Sequence, residues 1–217
     1  MPRIASIQIS EVRSLGTSGA PDAMDRPWTT GFFKEPVAGA VSVDTLGVAG
    51  DEQADRANHG GPDKAVLAYS AEHYPAWRTE LGFPEMPFGA FGENLTVEGL
   101  TEADVGIGDR WRAGPVEFEV SQPRQPCWKL ARRWRVKTLP ATVIDTGRTG
   151  WYLRVLRGGM LTAGLEFELV GRPNPEWTIR RANAVMYSAR SDAAASLELA
   201  EVPGLSASWR DGLRTRG

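Results

Sequence analysis

The residues with the most chemistry to offer lie in Val120-Ser-Gln-Pro-Arg-Gln-Pro-Cys-Trp-Lys-Leu-Ala-Arg-Arg-Trp134, which holds the only cysteine of the chain, Cys127. Val116, Phe118 and Val120 alternate as in a strand ending at Pro123, and Leu130, Ala131 and Trp134 then recur at helical spacing. Pro126 suits the first helical position, where its missing N–H has no partner to lose. That spacing predicts Cys127 in the first turn, where free backbone N–H groups and the positive end of the helix dipole favour an anion. Arg124 and Lys129 add to that bias. A thiol so placed ionises more easily than a free cysteine, and the thiolate is both the nucleophile and the soft metal ligand. Position alone leaves a second reading open, because free cysteines are often buried structural residues.

A second polar stretch is Gly50-Asp-Glu-Gln-Ala-Asp-Arg-Ala-Asn-His-Gly-Gly-Pro-Asp-Lys-Ala65. Gly60-Gly61-Pro62 permits a sharp turn with close backbone approach to a ligand. Backbone N–H groups in such turns form anion-binding concavities, and a lysine holds a phosphate as a point charge. His59 and Lys64 flank this turn. A solvated surface turn accounts for the same residues, and the Gly-Lys-Ser/Thr ending of a P-loop is missing. Glu93 and Asn94 follow a glycine at the start of another strand, where ordinary turn chemistry also explains them. Gln122 and Arg124 lead into the cysteine segment.

Composition narrows the classes. A chain of 217 residues with 41% apolar and 24% charged residues is that of an ordinary soluble protein able to bury a core. A net charge of −2 gives no overall basic field, so nucleic acid is not the expected partner. No apolar run is long enough for a membrane helix, and the first residues lack a secretory apolar region. One cysteine excludes an internal disulfide, which points to a reducing cytoplasm. Two histidines and one cysteine fall short of a four-ligand structural zinc site. A metal at Cys127 must therefore draw most of its ligands from elsewhere, such as a cofactor. The eight tryptophans belong to the core or flank a flat ligand.

The elements that position these residues are mostly short strands and turns, which favours a β-barrel or sandwich. Strands are predicted over Arg3–Arg13, in the region Phe32–Val43, over Ala65–Tyr69, on both sides of a Gly114-Pro115 turn, and over Gly147–Arg157. Gly158-Gly159 and Met160–Val170 then complete another hairpin with that strand. Leu15–Trp28 reads as a long loop. Helices are expected over Ala71–Leu81, ended by Gly82, and over Leu139–Thr146. The Pro-rich break at Gly171-Arg-Pro-Asn-Pro175 looks like a boundary between residues 1–172 and a small domain of residues 173–217. The latter holds three short helices, with Thr178, Ser191 and Ser206 as N-caps and Leu197, Leu199, Leu205, Trp209 and Leu213 as a small shared core. A helix-turn-helix reading of this tail is weak, because three-helix units serve many roles.

Taken together, these pieces resemble the MOSC family, named for the C-terminal domain of molybdenum cofactor sulfurases, and within it the stand-alone bacterial YiiM-like branch. The resemblance is carried by Gly50-Asp51 with Gln53-Ala54-Asp55, His59-Gly60-Gly61-Pro62-Asp63-Lys64-Ala65, Phe91-Gly92-Glu93-Asn94-Leu95, Ile107-Gly108-Asp109, Gln122-Pro123-Arg124 with Pro126-Cys127, and Gly147-Arg148 with Gly150 and Tyr152. Each motif is weak alone; their ordered set is specific. The resemblance implies a mainly β (α+β) fold, a MOSC-type barrel with peripheral helices followed by a three-helix domain. It implies that Cys127 ligates molybdenum of a molybdopterin cofactor, with His59, Gly60, Gly61, Lys64, Glu93, Asn94, Gln122 and Arg124 as candidate cofactor contacts. It also implies reduction of N-hydroxylated compounds, such as 6-N-hydroxylaminopurine, to amines. Electrons would come from an external flavin reductase or ferredoxin-type donor, since one cysteine cannot hold an iron–sulfur cluster and no dinucleotide fingerprint is evident. Two other readings stay open: a sulfur-carrying or redox-sensing thiol, and a cofactor-binding module without turnover. The tail is open to packing on the barrel, binding a redox partner or supporting a homodimer.

Overall fold

The computed structural model describes residues 1–55, 60–188 and 192–215. Its strands are β1 (Arg3–Ile9), β2 (Arg13–Leu15), β3 (Trp28–Thr30), β4 (Glu35–Pro36), β5 (Val41–Asp44), β6 (Gly47–Val48), β7 (Val66–Ser70), β8 (Leu95–Glu98), β9 (Arg110–Ala113), β10 (Val116–Pro123), β11 (Trp151–Arg157), β12 (Gly159–Leu161) and β13 (Glu168–Gly171). The helices are α1 (Tyr74–Leu81), α2 (Lys129–Trp134), α3 (Leu139–Thr146), α4 (Ile179–Asn183), α5 (Ala193–Ala200) and α6 (Ala207–Arg214).

Eight strands form one curled mixed sheet in the order β13-β9-β10-β11-β7-β8-β1-β4. Among the described residues only β7 and β8 pair in parallel. Strand β7 is buried along its whole length, as a central strand covered on both faces must be. The sheet's curl brings its two ends together: Ile4 N–H donates to Leu165 O at 2.9 Å and Phe167 N–H to Pro2 O at 2.9 Å. The outcome is the barrel-like, mainly β architecture expected. A separate three-stranded sheet, β12-β5-β6, packs Val41, Val43, Val48 and Leu161 into the same apolar cluster.

Two expectations change. The first strand ends at Ile9, and Arg13–Leu15 instead pairs with Trp28–Thr30 as a small hairpin. Met160–Val170 does not complete a hairpin with the strand before it: β12 pairs with β5, and β13 pairs with β9. The chain crosses between sheets at Gly158, where a Cβ would lie 2.5 Å from the carbonyl oxygen of Val43. A side chain at that position would block the crossing.

The interior is filled by the inward residues of the sheet, among them Ile4, Ile7, Val97, Phe118, Val120 and Leu153. The tail adds to this same apolar cluster through Trp177, Ile179, Leu199, Leu205, Trp209 and Leu213. Leu197, by contrast, is 45% exposed. Thr178 and Ser206 cap α4 and α6, accepting from Arg181 N and Trp209 N. Asp192 caps α5; Ser191 lies outside the described residues. Further bonds tie the tail down. Ser206 N donates to Ser121 O at 2.9 Å, and Asn174 Nδ2 donates to Ile107 O at 2.9 Å and Pro203 O at 2.8 Å. A second apolar cluster, with Tyr69, Tyr74, Trp77, Phe91, Leu130 and Val143, packs α1, α2 and α3 against the outside of the sheet.

Candidate functional site

A cleft of about 620 Å³ opens where β7, β11 and the end of β10 meet the segments before α2 and after β3. Its wall carries Cys127, Arg124, Lys129 and Tyr152 from one side and Lys64, Leu67 and Asn94 from another. Thr30, Gly31, Phe32, Lys34 and the segment Asp51–Asp55 complete it, with Phe91 and Gly92. The backbone conformation is demanding here. Gly92 sits at φ +82°, and a Cβ on it would lie 2.8 Å from the Phe32 ring. A Cβ on Gly31 would lie 2.2 Å from Glu52 O, so that close approach requires glycine.

Cys127 reaches the cleft by a route other than the expected one. The helix α2 begins at Lys129, not at Pro126, so the cysteine precedes it. Residues 124–127 form no regular element, and Pro126 disfavours the helical region at Gln125, which holds the helix start back. Cys127 contributes its carbonyl to the turn that starts the helix, accepting from Leu130 N at 3.2 Å. Its side chain is partly exposed on the cleft wall.

Arg124 is almost fully buried at 3% exposure. Its backbone N–H donates to Gly150 O at 3.0 Å and its Nη2 to Phe91 O at 3.0 Å. Its Nη1 is buried and meets no hydrogen-bond partner among the described residues. An unsatisfied guanidinium nitrogen in a cleft wall is a donor waiting for an acceptor. Beside it, burial pushes the Tyr152 phenol up to about 12, against the pull of Arg124, so it stays a neutral hydroxyl at ordinary pH. Burial pushes the Lys64 ammonium below the usual lysine value, with Asp63 and Asp55 opposing the shift.

At the base of the cleft Lys34 and Asp51 form an ion pair whose side chains are 6% and 5% exposed. Burial lowers the Lys34 pKa and Asp51 partly restores it. Asp51 also accepts from Ser10 N at 2.9 Å and from Asn94 Nδ2 at 2.9 Å. Asn94 accepts from Leu67 N at 3.1 Å and donates to Gln8 O at 3.3 Å, so one side chain locks β1, β7 and the Asp51 segment together.

The structure thus brings Cys127, Arg124, Lys64 and Asn94 to one cleft. Gly60 and Gly61 line a neighbouring cleft that shares Asp51 and Gln53 with it. His59 lies outside the described residues. Two candidate contacts are placed elsewhere. Glu93 is fully buried and satisfied internally, accepting from Tyr74 Oη, Gly89 N at 2.7 Å, Phe91 N at 3.1 Å and Thr96 Oγ1 at 3.0 Å. Gln122 is 1% exposed and accepts from Ser206 Oγ at 2.7 Å, joining the barrel to the tail. Each faces away because its polar atoms are already paired inside the protein. Sequence reasoning missed Lys34, Phe32 and Thr30, which come from a segment whose short, Pro- and Gly-interrupted strands showed no chemical pattern.

The family model of the MOSC domain matches residues 55–168, about half the chain, and that of the YiiM-like 3-alpha helix domain matches residues 177–216. The chain belongs to the MOSC family. It is 45% identical to the protein YflK of Bacillus subtilis over 83% of this chain and 81% of that one. It is 38% identical to the protein YiiM of Escherichia coli over 84% and 82% of the two chains. The crystal structure of YiiM from Geobacillus stearothermophilus superposes with a TM-score of 0.83 at 38% identity, covering 100% of this chain and 99% of that one. A protein of Gibberella moniliformis named a reductase is 39% identical over 73% of this chain, a match that spans 28% of the fungal protein.

MOSC domains are associated with molybdenum cofactor binding, and the residues of this cleft fit such a group. The unpartnered Arg124 Nη1, with Lys64 and Lys129 nearby, suits a phosphate. A single thiol at the wall suits a soft metal whose other ligands are not supplied by protein. Phe32, 9% exposed in the wall, gives apolar surface for a flat ring system. Among the described residues no cluster of three or more His, Cys, Asp or Glu is arranged to hold a bare metal ion. No helix among them is long and apolar enough to cross a membrane.

Proposed function

We propose that this MOSC protein is a molybdenum cofactor-dependent reductase of N-hydroxylated compounds, working in the cytoplasm with an external electron donor. The observation that carries this reading is the meeting of Cys127 with the unsatisfied Arg124 in one cleft. The fungal relative that is named a reductase supports the reaction class.

When bound, the molybdenum cofactor would supply two-electron chemistry that accepts the hydroxyl oxygen of the substrate. Cys127 would hold the metal through its thiolate. Arg124 and Lys64 would hold the phosphate. Tyr152, kept protonated by burial, would offer a bound group a hydroxyl donor rather than a base. The buried Lys34–Asp51 pair, with the bonds Asp51 accepts from Ser10 and Asn94, fixes the wall of the cleft. The overall change is R–NHOH plus two electrons and two protons to R–NH2 plus water, with the electrons from a flavin reductase or ferredoxin-type protein.

The test is turnover of an N-hydroxylated purine by protein expressed in cells that make the cofactor, with reduced methyl viologen as donor. Amine formation that disappears in protein from cofactor-deficient cells supports the reading. Equal formation from both preparations, or none with any donor from cofactor-loaded protein, sinks it.

A further inference from the structure

We propose that the face built by residues 128–137 is the docking surface for an acidic electron-transfer protein of the ferredoxin or flavodoxin kind. The proposal rests on the reductase reading above. From Val120 to Ile144 the chain has no Asp or Glu, yet it carries Arg124, Lys129, Arg132, Arg133, Arg135 and Lys137. In a protein of net charge −2 this is a strong local segregation.

Of that set the fold puts Lys129 in the cleft wall and Arg132 beside the neighbouring ring, while Arg124 is buried in the wall. Cys127 and Lys129 line the cleft, and Trp128 between them is 53% exposed. Arg132 lies 4.7 Å from the centroid of the Trp128 ring and Lys129 lies 5.9 Å from it. Arg132 donates to the carbonyl oxygens of Ala23 and, at 2.8 Å, Arg26. Arg133 donates to those of Phe32 at 2.6 Å and Gly89 at 2.8 Å. Neutral carbonyls position the Arg132 guanidinium, with Asp22 the acidic group that faces it and Lys137, whereas Arg133 is largely buried and faces the Glu93 carboxylate. Arg135 differs, being paired with Asp25 at 2.6 Å and Asp22 at 3.6 Å.

An exposed tryptophan ringed by cations combines the two parts of a transient redox interface. The ring supplies a desolvated anchor of the kind that dominates binding energy. The cations steer an acidic partner at long range. Because Trp128 adjoins Cys127, a partner seated there stands next to the thiolate that would hold the metal. Nucleic acid is a poorer match, since the cations gather around one exposed ring beside a six-residue helix and the rest of the chain is net acidic.

The experiment is calorimetric titration of an acidic two-iron ferredoxin into the purified full chain at low salt, for wild type, Lys137→Glu and Trp128→Ala. The proposal expects the dissociation constant to rise about 3- to 10-fold in Lys137→Glu, about tenfold or more in Trp128→Ala, and steeply with salt in the wild type. No binding, binding indifferent to both substitutions, or preferential binding of a single-stranded oligonucleotide overturns it. Reduction of an N-hydroxylated purine with methyl viologen, which needs no docking, is expected at the wild-type rate in both variants. Its loss in the variants also overturns the proposal, because the face would then belong to the substrate site. Its absence in the wild type marks failure of the reductase reading instead.

Discussion

Asn94 donates from Nδ2 to Asp51 Oδ2 at 2.9 Å while its Oδ1 accepts the Leu67 N–H at 3.1 Å. One amide thereby satisfies an acceptor and a donor that only an Asn-shaped group can serve together. Asn94→Ala should lower unfolding free energy by about 2–4 kcal/mol, through lost bonds and a buried N–H left unpaired. Asn94→Asp keeps the shape but sets a carboxylate against Asp51. Its loss should be largest near neutrality and shrink as pH falls through the carboxylate range, because the folded state then takes up the extra proton. Urea denaturation at several pH values measures both, and an Asn94→Asp stability that does not improve on acidification counts against this geometry.

Lys34 makes a second prediction. Lys34→Met strands Asp51 without its cation and should cost about 3–5 kcal/mol, while Lys34→Met with Asp51→Asn recovers part of that loss. The pKa of Lys34 is lowered by burial, so the unfolded chain binds more protons in the alkaline window below the ordinary value of 10.5. The cost of burying the ammonium is fully present below the folded-state value and is relieved as pH rises toward 10.5. The stability advantage of wild type over Lys34→Met should therefore grow with pH in that window. A flat or falling difference contradicts it.

Anion binding should follow Lys64. Its pKa lies below the usual lysine value because of burial, so its charge is lost earlier on the alkaline side. Pyrophosphate affinity, measured by calorimetry, should decline with rising pH before an ordinary lysine would titrate. Lys64→Gln should weaken it about tenfold and flatten that decline. An unchanged pH profile in Lys64→Gln would show that Lys64 does not contact the anion.

The tail is bound into the main core. Ending the chain after Gly171 removes Trp177, Ile179, Leu205, Trp209 and Leu213 from one apolar cluster and leaves Gln122 without Ser206. Loss of several buried large side chains exceeds the usual stability of a domain of this size. The truncated protein should be insoluble or melt at far lower temperature in differential scanning calorimetry. A truncated form melting at the temperature of the full chain would mean that the two parts fold independently.

Much of this was legible in the sequence, and the exceptions have physical causes. Alternation in Val116–Val120, the Gly114-Pro115 turn and the Gly82 stop are local signals, and local signals survive folding. The α3 boundaries Leu139–Thr146 follow from apolar spacing and a terminal glycine. The pairing of β12 with β5 and of β13 with β9 depends on contacts between distant segments, which a hairpin-like pattern of Gly and apolar residues cannot reveal. In the site, Cys127 and Arg124 stood out by type. Lys34 did not, since nothing in its neighbours announces that Asp51 will meet it. Glu93 and Gln122 look like ligand contacts in a motif, yet their hydrogen bonds are closed inside the protein.

The most direct test of the account is the molybdenum and pterin content of the full chain purified from cofactor-making cells, wild type beside Cys127→Ala. The account predicts that wild type carries metal and pterin near one equivalent per chain, about 1:1 for a single-thiolate site, and that the alanine variant loses the metal. Full metal content in Cys127→Ala, or neither metal nor pterin in the wild type despite active cofactor synthesis, would contradict it.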